Sequence, residues 1–108
     1  MATDSLWEGT DADGIKSIIS RKQWENHVVK RPEIANVLDL TIRAMVKPES
    51  IAPDRNRQDE TKRYFRLLTI SAQSVRRDYK LVISVKYVQQ PNGEWLKFYQ
   101  SCWFERKR

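Results

Sequence analysis

Cysteine is almost missing from this chain: Cys102 stands alone, so no internal disulfide can form and nothing points to an oxidising compartment. Histidine is just as scarce. With one His, one Cys and no Cys-x-x-Cys or His-x-x-Glu spacing, a zinc or iron centre is not expected, and no metal or cofactor is assigned. The 3 glycines, Gly9, Gly14 and Gly93, lie far apart, which argues against a phosphate-cradling loop. No Gly-x-Ser-x-Gly elbow exists for a serine hydrolase. No apolar run approaches the roughly 20 residues that a membrane span needs. Residues 1–14 are acidic and polar, the opposite of a secretory signal, so the expectation is a cytoplasmic protein with no membrane attachment.

The chain does carry aromatic and basic side chains. Its 108 residues leave room for one domain with one modest core, and the 4 Trp, 4 Tyr and 3 Phe supply much of the area to bury. There are 20 Lys and Arg against 14 Asp and Glu, a net charge of +6. A positive field of this kind favours polyanions, of which nucleic acid is the commonest in a cell. It also serves solubility alone, and composition does not choose between the two. The charge is uneven: Asp4, Glu8, Asp11 and Asp13 mark the start, and Arg106, Lys107 and Arg108 the end. Residues 1–14 read as a mobile acidic leader and 15–108 as a single domain.

Ile15 to Ile19 is a short apolar run able to pair as a strand. Ser20 and Gln23 then form the Ser-x-x-Gln pattern of a capping box, opening a helix over Arg21–Lys30 with Trp24, His27 and Val28 on one face. Pro32 ends that helix and suits the first position of the next. The second helix shows Ile34, Val37, Leu38, Thr41, Ile42 and Met45 in one stripe, and it stops at Lys47 before Pro48. A polar loop follows to Lys62, with an extended piece near Ile51. Strands are then predicted over Arg63–Ile70, Lys80–Gln89 and Glu94–Phe104, the last two joined by the tight turn Pro91-Asn92-Gly93. The expected fold is α+β, two N-terminal helices packed on a curved antiparallel sheet of about four strands.

Two groups of residues carry possible chemistry. His27 titrates near neutral pH; it reads either as a proton shuttle or as a half-buried group packed beside Trp24 and bonded to backbone. Tyr64 and Arg66, two apart, share a strand face. Strict alternation in the last strand puts Lys97, Tyr99 and Ser101 together with Trp95 and Trp103, and leaves Leu96, Phe98, Cys102 and Phe104 to meet the helices. Arg66, Lys97 and the hydroxyls then line either a phosphodiester site with stacking aromatics or a solvated face of amphipathic pairs.

The run Trp24-Glu-Asn-His27, Arg31-Pro32-Glu33-Ile34, Lys47-Pro48-Glu49-Ser-Ile51, Tyr64-Phe-Arg66 and a closing Ser101 resembles the phage-type branch of the barnase–EndoU–colicin–RelE-like nuclease superfamily, over roughly Ser20 to Phe104. The resemblance implies a helical pair ahead of a curved antiparallel sheet. It also implies a toxin-like, metal-independent ribonuclease that drives the ribose 2′-hydroxyl onto the adjacent phosphorus. By position His27 becomes the acid or base, Arg66 the phosphoryl cation, and Tyr64 and Ser101 the groups that orient it. Lys30, Arg31, Arg55 and Lys97 are the candidate nucleic-acid contacts. Where the family pattern has a second His, this chain has Arg31, which holds phosphate but is no base near neutral pH. The readings carried forward are therefore a ribonuclease, a non-catalytic RNA-binding module of the same fold, and a protein-interaction domain. RNA and a protein inhibitor are the partners considered, for a monomer or homodimer.

Overall fold

Ser20 opens the first helix as its spacing predicts: its hydroxyl accepts the Gln23 N–H at 3.3 Å, satisfying an orphan donor of the first turn. In the computed structural model, which describes residues 4–107, this is α1, Arg21–Lys30. The Gln23 side chain does not return to Ser20; it donates to the Gln100 carbonyl at 2.6 Å and so tethers the helix to a strand. Pro32 begins a 3-10 turn, Pro32–Asn36, and α2 runs only from Leu38 to Val46. The single second helix expected from the stripe is thus broken at Val37. Its N–H closes on the Ile34 carbonyl at 3.0 Å, the tighter spacing of a 3-10 turn, and this buries Ile34 and Val37 completely.

The sheet corrects the expected count. Six strands, β1 Ser5–Thr10, β2 Lys16–Ser20, β3 Ser50–Pro53, β4 Arg63–Ser71, β5 Tyr79–Gln89 and β6 Trp95–Arg106, form one sheet in the order β1-β2-β6-β5-β4-β3. Two strands precede the helices, and β2 runs parallel to β6, so the sheet is mixed. The leader expected to be mobile supplies β1, because Leu6 and Trp7 within it pack against the core. Its turn is closed by Asp11, whose Oδ1 accepts the Asp13 and Ile15 N–H groups at 2.9 and 2.8 Å, with Gly14 at φ +83°. Of the basic tail, Arg108 lies outside the described residues.

Both helices cover one face of the sheet. Ile34, Val37, Leu40, Ala44 and Met45 from the helical layer meet Leu68, Ile70, Leu81, Ile83, Val85 and Cys102 from the strands. Each large apolar side chain buried there contributes about 1.5–3 kcal/mol. A bulge then changes the reading of β6. Val85 faces Tyr99 and Ser84 faces Ser101, so Gln100 is an extra residue that shifts the alternation by one. Lys97 and Tyr99 turn toward the helices, as do Cys102 and Phe104 beyond the bulge, while Ser101 and Trp103 share the helix-free face with Leu96 and Phe98. The common face expected for Lys97 and Ser101 does not exist.

Candidate nucleic-acid interface

Where α2 ends, the helix-side face of the sheet continues uncovered into a groove. The pairing sets Tyr64 of β4 opposite Tyr87 of β5, and Tyr87 opposite Lys97 of β6. Tyr64 and Tyr87 stack with centroids 4.4 Å apart and planes 8° from parallel, and Trp95 meets Tyr64 edge-on at 5.0 Å. Arg66, two residues along β4, lays its guanidinium over both rings at 5.1 and 5.4 Å, a cation–π arrangement. Ile51, Ala52 and Pro53 of β3 and residues Asp59 to Thr61 complete a groove of about 680 Å³.

The two carboxylates on the rim are already engaged. Glu60 is paired with Arg63, and Asp59 accepts the Phe65 N–H at 3.4 Å. Among the described residues no carboxylate lies in ion-pair reach of Arg66. Burial pushes the Tyr87 phenol up to about 12 and raises that of Tyr64. Both stay protonated at neutral pH and keep an O–H to donate.

Lys97 stands next in the same row and is not available to a ligand. It is 2% exposed; its ammonium donates to Asp11 Oδ2 at 2.6 Å and to the Met45 carbonyl at 2.5 Å. Burial lowers its pKa against the pull of Asp11. The side chain ties the β1–β2 turn, the end of α2 and β6 together, which corrects its assignment as a nucleic-acid contact.

His27 belongs to a different place. Its Nδ1 lies 3.1 Å from the Tyr99 hydroxyl, and its ring meets Tyr99 edge-on at 6.3 Å. Trp24 packs on the same tyrosine at 5.4 Å. Burial, then the charges of Arg31 and Lys30, lower the His27 pKa, with Glu33 opposing. The shallow pocket beside it is lined by Gln23, Asn26, His27 and Lys30 and shares no residue with the Arg66 groove.

Of the four candidate catalytic residues, then, the structure brings Tyr64 and Arg66 together. It leaves His27 at α1 and turns Ser101 to the opposite face. Lys30 and Arg31 are exposed at the end of α1, and Arg55 is exposed in the loop after β3. Among the described residues no three His, Cys, Asp or Glu side chains gather as a metal cluster, and no helix is long and apolar enough to cross a membrane. Sequence reasoning missed Tyr87, although its place two residues beyond Val85 in an alternating strand marked its face. It also missed Asp11, for which no local signal exists. No known family model matches the chain, and no curated protein or solved structure matches it.

Proposed function

We propose that this chain is a non-catalytic RNA-binding module whose ligand enters the Arg66 groove. The observation that carries the reading is a half-buried guanidinium, unpaired with any carboxylate among the described residues, lying on a two-ring tyrosine stack at the mouth of an open groove. The planar fork of Arg66 suits a phosphodiester, the Trp95 indole lining the groove offers ring surface to a base, and the net charge of +6 steers polyanions toward the chain. Cleavage would need a base, an acid and a cation around one phosphorus. His27 and Arg66 line separate pockets, and the binding reading is favoured over the ribonuclease reading on that ground.

The test is fluorescence anisotropy of a labelled single-stranded RNA in EDTA and low salt, with the RNA then run on a denaturing gel. Binding that weakens with salt, intact RNA, a Kd raised about ten-fold by Arg66→Ala and no change with His27→Ala are the expected results. Cleavage abolished by His27→Ala would replace this reading with the ribonuclease one. Absence of binding in low salt would remove both.

A further inference from the structure

We propose that the helix-free face of the sheet continues this RNA site as a stacking platform for single strands, built on Phe65, Lys86 and Phe98. The proposal rests on the RNA-binding reading and specifies the form of the ligand. A sheet face that no helix covers is ordinarily polar. Here the row that crosses the sheet from β2 to β4 reads Ile18, Phe98, Lys86, Phe65. The Lys86 ammonium lies 6.0 Å from the centre of the Phe98 ring, and Arg57 and Arg63 lie 5.2 and 5.8 Å from that of Phe65. Cation and ring therefore alternate along one line.

The cations differ in what already holds them. Arg57 is near Asp54 at 3.7 Å and Arg63 is paired with Glu60; among the described residues Lys86 has no carboxylate partner. Interstrand spacing sets the backbone positions of Phe65 and Phe98 about 10 Å apart, with Lys86 on the strand between them. Two bases can then stack on the rings while the phosphate that links them passes over Lys86. Half-buried Trp103 in a neighbouring row extends the apolar surface, and Val82 opposite it is buried beneath its neighbours. Phe65 also lines the Arg66 groove, so one strand can leave the groove at β4 and continue onto the platform without losing contact.

Two features choose the occupant. Stacking needs an open base face, which a duplex hides between its neighbours. A second copy of the chain laid on this face would bury Lys86 in the middle of the contact without a counter-charge, which is costly. A single strand supplies both the ring face and the phosphate.

The experiment is a titration of the whole ¹⁵N-labelled chain with a twelve-residue oligouridine in low salt, followed by amide shifts, with anisotropy on Phe98→Leu and Lys86→Gln. Shifts at Phe65, Lys86 and Phe98 together with those at Arg66, an affinity loss of about ten-fold in each variant, and weaker binding of a duplex of equal length are expected. Shifts confined to the groove, with both variants binding normally, overturn the platform and leave the RNA-binding reading standing. No shift anywhere overturns both. Shifts on the platform that appear with protein concentration alone, or a duplex bound as tightly as the single strand, overturn the platform in favour of self-association or shape recognition. The wild-type shifts decide the matter even if Phe98→Leu folds poorly.

Discussion

Arg66 and Lys97 stand on the same face of one sheet, on the two strands that flank β5, and the Tyr87 ring lies within 5.4 and 5.9 Å of their respective charges. Both read from the sequence as cations for a phosphodiester. Only Lys97 found a carboxylate inside the fold. The Asp11 turn and the Met45 carbonyl reach it from two sides, and its charge becomes part of the architecture. Arg66, beyond the end of α2, found aromatic rings and, among the described residues, no carboxylate within ion-pair reach. Whether a basic residue is open to an external polyanion is decided by what the chain's own acidic groups reach first, a long-range property that side-chain type does not report.

The sharpest way to break the comparison is to remove the partner. Asp11→Ala leaves the Lys97 charge buried and should cost about 3–5 kcal/mol in urea unfolding. Lys97→Met should cost less, since Asp11 keeps the Asp13 and Ile15 N–H groups. The double variant should recover part of the loss. Equal, additive losses in the two single variants would show that the pair is not coupled.

How much of this was legible in the sequence depends on distance along the chain. The Ser20 half of the capping box, the Gly93 turn at φ +89° and the Tyr64/Arg66 spacing are local patterns, and each appears where the pattern put it. The bulge at Gln100 carries neither Gly nor Pro to announce it, yet it decides which side chains of β6 share a face. The acidic leader read as solvated because four carboxylates outweighed Leu6 and Trp7, whose value lies in a core the local sequence does not contain. Asp11 and Lys97 are 86 residues apart. That pair, and the meeting of Tyr87 with Arg66, are set by register between distant strands.

Tyr87 offers the next largest effect, because its ring separates the two cations. Its phenol titrates at about 12 in the fold against 10.0 unfolded. A raised pKa means that the folded chain holds the proton longer, so stability is intact below about pH 10 and is lost as pH rises toward 12. Two pKa units correspond to roughly 2–3 kcal/mol at full burial. Lys97, whose pKa is lowered, contributes the opposite slope below its unfolded value of 10.5. The measurement is therefore the difference between wild type and Tyr87→Phe in unfolding free energy from pH 9 to 11.5. A difference that does not move with pH would show that Tyr87 is solvated.

Arg66→Ala is expected to separate function from fold. Its rings lose a cation–π contact worth about 0.5–1 kcal/mol, so the unfolding midpoint should barely move while RNA affinity falls. Arg66→Lys should restore charge without the planar fork and recover only part of the affinity. A stability loss as large as that of Asp11→Ala would place Arg66 among the structural cations and erase the contrast with Lys97.

The smallest effect belongs to His27. Burial first, and the charges of Arg31 and Lys30 next, hold its pKa below 6.5. The unfolded chain therefore binds the proton more readily than the folded one. This contribution is complete above pH 6.5 and is lost as pH falls through the lowered folded value. His27→Gln should flatten the acid side of the stability curve while leaving RNA affinity at pH 7.5 unchanged, because the ring packs against Tyr99, away from the Arg66 groove. If the acid slope survives the substitution, His27 does not set it, and the packing of its ring against Tyr99 costs the imidazolium nothing that the unfolded chain does not also pay.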